Sequence, residues 1–175
     1  MKKLLIGALL TMFSMGAMAI DGYKNIKFGD SIEKVLSSNL CTFEKMPNES
    51  GIDQISLYGC GDFKFSGKDR MALATFINGK FKKLLINVGN DIDPLIDSLT
   101  QKYGKPSSMS SVDEINKAKA KGDYYLLFIN FDKDTVKLHI EKPKDKKEMI
   151  FLIYQDSMFD KELNKIKSER IESDI

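Results

Sequence analysis

Asn78-Gly79 stands between two runs rich in apolar and aromatic residues, 70–77 and 80–88, and constrains this chain more than any other feature. A two-residue hairpin loop needs backbone conformations that Asn and Gly tolerate and most residues do not, so the dipeptide predicts a tight antiparallel hairpin here. Three further strand-like runs follow at 124–131, 135–141 and 148–155, joined by a tight Lys133-Asp134 turn and a looser loop at 143–147. With 133 and 134 as the loop, Phe131 opposes Val136, Ile129 opposes Leu138 and Leu127 opposes Ile140. Two strands then contribute to one apolar face.

Helical signals punctuate the strands. Asp30-Ser31-Ile32-Glu33 resembles a capping box, and Ile32, Val35 and Leu36 give a stripe, which predicts a short helix over about 31–39. A second helix has Asp93 as cap, Pro94 in its first turn, and Ile92, Leu95, Ile96, Leu99 and Tyr103 on one face. Gly104 and Pro106 stop it. Its stripe needs a sheet to cover it. Residues 107–123 read as a mobile excursion or a weak exposed helix, where Asp113, Glu114 and Asp123 offset Lys117, Lys119 and Lys121. A terminal helix is expected over 158–170 with Phe159, Leu163 and Ile166 facing inward, and the last five residues are expected to fray.

Met1-Lys2-Lys3, an apolar run over 4–15 and Ala17-Met18-Ala19 fit a cleaved signal peptide, residues 1–19. The run falls short of the ~20 residues needed to span a bilayer. No cysteine follows the cleavage site directly, so the expected product is periplasmic or secreted, without a stable membrane anchor. It would be a single domain, 20–175. Of the 27 basic residues, Lys2 and Lys3 lie in the leader, which leaves 25 against 25 acidic ones. A formally neutral domain lacks the basic field that nucleic acid or an anionic membrane surface requires.

Cys41 and Cys60 are then the only two thiols in an oxidising compartment. An even count there favours one disulfide, worth roughly 3 kcal/mol for a loop of about 20 residues. The rival readings are a redox pair, which is normally Cys-x-x-Cys, and a zinc site, for which only His139 could assist.

The series Ile26-x-Phe28-Gly29, Ser31-x-Glu33-x-Val35-Leu36, Cys41, Cys60 and Ala74 to Phe81 resembles a repeat unit of β-lactamase-inhibitor-protein-like modules. It is also similar to outer-membrane assembly lipoproteins of the BamE type. The likeness covers about 20–88. The second helix with Tyr103-Gly104-Lys105-Pro106 and the three strands after it resemble a degenerate second unit, without the Phe-Gly entry or the cysteines. The resemblance implies an α+β, two-layer fold with short helices on one face of an antiparallel sheet. Two pseudo-repeats, 20–89 and 90–156, would be followed by a C-terminal helix, 157–170. It further implies a free sheet face that grips a partner protein, and no enzymatic activity.

The residues supply little chemistry of their own. His139 is the single histidine, and strand alternation turns it away from the core with Lys137 and Glu141, as an ordinary exposed side chain rather than a catalytic one. Asp91-Ile92-Asp93 reads as helix capping and Asp132-Lys133-Asp134 as a turn, so neither metal nor cofactor is expected.

The anomaly is apolar matter on the second sheet face. When Leu127, Ile129 and Phe131 face the helices, Tyr124, Leu126 and Phe128 point the other way, and 148–155 is apolar on both faces. Either the terminal helix or the 107–123 segment covers that face, or it is exposed and binds a partner. On the second reading the anchors are Tyr124, Leu126, Phe128 and Tyr154. The expected function is a non-enzymatic module of inhibitor or immunity type binding an envelope or secreted protein, with a second copy of the chain as the other candidate partner. The alternative is a lipid or amphiphile carrier whose pocket lies between the second face and the terminal helix.

Overall fold

The computed structural model describes residues 19–175 apart from 91, 122, 123 and 145, so nearly all of the expected leader (1–19) lies outside the described residues, as do Asp123 and the side chains of Lys119 and Lys121. The first element among the described residues is a hairpin of two-residue strands, β1 (Gly22–Tyr23) and β2 (Ile26–Lys27). Helix α1 (Ile32–Leu36) starts at Ser31, whose Oγ accepts from Lys34 N at 3.3 Å. It is shorter than the expected 31–39, because Asn39 takes a left-handed backbone (φ 57) and turns the chain out of the helix. Then come β3 (Glu44–Met46), β4 (Ile55–Phe65), β5 (Lys68–Ile77) and β6 (Lys80–Asn87). The second half holds α2 (Ile92–Tyr103), β7 (Ser108–Met109), α3 (Val112–Lys121), β8 (Tyr125–Phe131), β9 (Val136–Lys142), β10 (Met149–Gln155) and α4 (Phe159–Asp174).

The fold is α+β. Among the described residues β3 to β10 form one eight-stranded antiparallel sheet in the order β3-β4-β5-β6-β10-β9-β8-β7. Read inward from either edge, a short strand is followed by a three-strand meander, and each half has a helix before its short strand. The halves join where β6 pairs with β10, Leu84 opposite Tyr154 and Ile86 opposite Leu152. Asn78 (φ 50) and Gly79 (φ 71) make the expected turn, with Ile77 opposite Lys80. Phe131 opposes Val136, Ile129 Leu138 and Leu127 Ile140.

One face carries the main core: Ala72, Ala74, Leu84, Ile86, Leu138 and Leu152 are fully buried beneath Val35 of α1 and Leu99 of α2. Phe81 is enclosed there, its ring 5.6 Å from Phe28 and 5.8 Å from Phe76. The opposite face carries a smaller cluster, where Phe159, Leu163 and Ile166 of α4 pack on Ile52, Ile55 and Ile77. The helices therefore do not keep to one face: α4 takes a corner of the second.

Several local expectations are corrected. Asp93 sits inside the first turn of α2 rather than capping it, since the helix already begins at Ile92. Of the two readings of 107–123, the exposed helix holds over Val112–Lys121, and the short strand β7 precedes it. Ser111 Oγ accepts from Glu114 N (3.2 Å) while Glu114 accepts from Ser111 N (2.7 Å), a reciprocal cap that offsets the helix's weak apolar stripe. The tail does not fray after 170, because Arg170 Nη1 donates to Ser50 O (3.1 Å) and Gly51 O (2.8 Å) and moors the last turns of α4. Cys41 and Cys60 are disulfide-bonded, Cα atoms 6.3 Å apart.

Candidate functional site

The site is built from strand parity. In β8, β9 and β10 the residues between the core positions face away from α1 and α2, and the register aligns them across strands. Phe151 opposes His139, which opposes Phe128; Leu85 opposes Ile153, which opposes Lys137. On the other half Leu73 lies opposite Leu85, and at the outer end Leu126 lies opposite Glu141. Leu73, Leu85, Phe128 and Phe151 are all part-exposed and belong to neither hydrophobic cluster. Leu126 is 46% exposed and Tyr124, just before β8, 61%. The result is an apolar surface beside the part of the face that α4 covers.

A bulge supplies its charge. Thr75 opposes Lys83 while Phe76 opposes Phe81, so Lys82 has no partner across the ladder and the strand bends there. Lys82 ion-pairs with Asp156 (3.0 Å) and Glu162 (2.7 Å), which pins α4 to the sheet. The Lys83 ammonium lies 5.4 Å from the ring centroid of Phe159, and burial, with Lys137 alongside, holds it below its usual pKa. Lys137 reaches Asp160 at 3.5 Å, and Asp160 also accepts from Gln155 Nε2 at 2.8 Å. Asp160 thus ion-pairs with Lys137 and partly offsets the electrostatic cost of the Lys83 charge. Consecutive lysines at 82 and 83 were the only sequence signal of this cluster.

The four anchors expected from sequence do not all meet. Tyr124, Leu126 and Phe128 lie on or beside the open face. Tyr154 does not: it opposes Leu84 and Val136 on the helix-covered face, is 7% exposed, and its ring packs in a tilted contact 4.7 Å from that of Tyr23. It is a core residue, and burial raises its phenol pKa.

His139 points away from the core as expected but is half-buried, not exposed. Burial first, then Lys137 and Lys83, pushes its pKa from 6.5 down to about 4. An unfolded chain takes up this proton as pH falls through 6.5 while the folded one refuses it. The associated stability is therefore intact above 6.5 and lost progressively down to about 4. With partial solvent access the loss is about 1–2 kcal/mol, or roughly 3–6 °C in Tm for a chain of this size. His139→Gln is expected to remove it: melting both proteins at pH 7 and pH 4.5 should show the wild type losing more. Equal losses would mean that His139 is not held neutral.

The expected second-face pocket is an open groove of about 370 Å³ along the margin of α4, among Ile52, Leu57, Phe159 and Leu163. Metal ligation by the cysteines is closed off by their bond. The nearby Asp62 instead accepts from Thr42 N (3.0 Å) and Thr42 Oγ1 (2.7 Å). Among the described residues no helix is long and apolar enough to cross a membrane.

A family model described as "Uncharacterised protein" matches residues 23–174. A relative in Haemophilus influenzae, carrying the name "Uncharacterized protein", is 30% identical over 178 residues, spanning 100% of this chain and 98% of the relative. No solved structure matches the chain.

Proposed function

The chain belongs to this family of uncharacterised proteins, and we propose that it is a non-enzymatic, protein-binding module of the periplasm or the secreted space, of inhibitor or immunity type. The observation that carries the reading is the apolar, part-exposed surface of Leu73, Leu85, Phe151, Phe128 and Leu126 on a sheet whose other face carries the main core. A surface of this kind is the usual ground for a protein partner, with aromatic side chains as anchors. The sheet edges are poor alternatives: β3 has three residues and β7 two, too short to template an added strand. Lys83 and Lys137 favour a partner that sets an acidic side chain among apolar ones. The disulfide supports an oxidising compartment, in line with the leader-like first 19 residues. Binding rather than catalysis is supported by His139, which sits between two phenylalanines and near two lysines, with no carboxylate among the described residues hydrogen-bonded to orient it.

The test is affinity capture from an envelope extract, identification of the captured protein, and titration of the purified pair. Tyr124→Ala/Leu126→Ala/Phe128→Ala should weaken the complex by about 30-fold or more while the fold is retained, as loss of interface anchors does. Unchanged affinity of the folded triple variant would remove this face from the function.

A further inference from the structure

On the other side of the sheet, the end of the β4–β5 hairpin and helix α2 enclose a cleft of about 350 Å³, a volume in the range of small-ligand sites. Its floor is apolar: Leu152, Leu99 and Val88 are buried, and Leu95 and Phe65 are part-exposed beside them. Its charged groups are of one sign. Among the described residues Arg70, Lys68 and Lys102 line it beside Ser66 and Ser98, no Asp or Glu does, and none of the three makes an ion pair. Lys102 instead rests 5.0 Å from the centroid of the Tyr103 ring.

Arg70 is built into this wall. Gly89 holds φ +80, and a Cβ there would come within 2.7 Å of Arg70 Nη2, so a larger residue would have to push the guanidinium aside. The Nε–H of Arg70 is enclosed and has no hydrogen-bond acceptor among the described residues. Enclosed donors are nearly always satisfied, and an arginine placed in a cleft without a carboxylate is a ready fork for an anionic oxygen pair.

We propose that this cleft binds a small single-chain amphiphile with an anionic head, the head at Arg70 with Lys68 and Lys102 around it, and the chain on Val88, Leu95, Leu99 and Leu152. The cleft lies across the sheet from the open face, so the proposal stands or falls separately from the protein-binding reading.

The experiment uses the mature chain and three probes, decanoate, decyl phosphate and decanol, followed by amide chemical shifts and calorimetry. Saturable binding of decanoate or decyl phosphate is expected, with shifts confined to the end of the β4–β5 hairpin, β10, α2 and the segment at Gly89, and decanol binding at least tenfold more weakly. Which anion binds tighter separates a carboxylate from a phosphate head. Arg70→Met should weaken the preferred anion at least tenfold, and Ser98→Phe, which fills the cleft from the exposed side of α2, should abolish binding with an unchanged melting curve. The proposal is overturned by decanol binding as tightly as the anions, by shifts that fall along α4, by no saturable binding of either anion, or by a folded Ser98→Phe variant that binds like wild type.

Discussion

The double variant Cys41→Ser/Cys60→Ser is expected to keep its secondary structure and to melt about 5–15 °C below wild type, the equivalent of roughly 2–5 kcal/mol in a chain of this size. Cys41 leaves α1 beside the core, and Cys60 sits buried on β4, so the bond ties the helix exit to the sheet. The ring it closes contains β3 and the loop around Asn48, whose side-chain amide donates to Ile52 O (2.7 Å) and Ile55 O (3.0 Å). Without the bond the unfolded chain regains the freedom of that ring, while in the folded state hydrogen bonds across the same gap, such as Thr42 Oγ1 to Asp62, still hold its two ends together. Calorimetry of both proteins, with reductant added to the wild type as a third sample, checks the size. Two reactive thiols in unfolded, unreduced protein would refute the bond itself.

Phe81→Ala should cost about as much, roughly 3–5 kcal/mol, because the ring is wholly enclosed and its loss leaves a cavity that neighbours on a rigid sheet cannot collapse into. Phe28 and Phe76 both lose a ring neighbour. The backbone at the same residue clips the N-terminal segment to the sheet, with Phe81 N donating to Asp30 O and Gly29 N donating to Phe81 O, each at 2.8 Å. Distortion there would loosen β1, β2 and α1 together. Phe128→Ala is the informative contrast: its ring is part-exposed and outside both clusters, so about 1 kcal/mol is expected. Denaturant unfolding of the two variants separates them. Equal losses would place Phe128 in the core and weaken its assignment to the open face.

What the sequence by itself determined was the local punctuation. The Asn78-Gly79 turn, the Ser31 cap, the Gly104 stop and the Phe159, Leu163 and Ile166 stripe each depend on residues a few positions apart, and each appears where its residues require it. The Ser111-x-x-Glu114 cap was equally local and decides for the exposed helix, one of the two readings of the 107–123 segment, from Val112 on. The pairing of Cys41 with Cys60 followed from there being no other thiol. The open-face residues Tyr124, Leu126 and Phe128 were readable because β8 pairs with β9 through a short turn, which carries parity from one strand to the next.

Tertiary structure decided the rest. Residues 149–155 are apolar apart from their last member, so a period of two cannot say which face Tyr154 takes. That choice falls to its pairing with Leu84, 70 positions away, and with Val136. The same β6–β10 pairing joins the halves into one sheet and sets Leu85 beside Ile153. The bulge at Lys82 exists only against β5, and it brings Lys83 beside Phe159 of α4 and into the same charged cluster as Lys137. His139 was placed on the correct side by alternation, but its half-burial depends on Phe128 and Phe151 across the ladder, and its lowered pKa on that burial and on Lys83 of β6 as well as Lys137 of its own strand. Arg70 and Gly89 meet because a β-strand and the turn before α2 converge. Local chemistry sets where a chain turns, caps and stops, whereas faces, clefts and displaced pKa values arise from contacts between residues distant in sequence, which no short window contains.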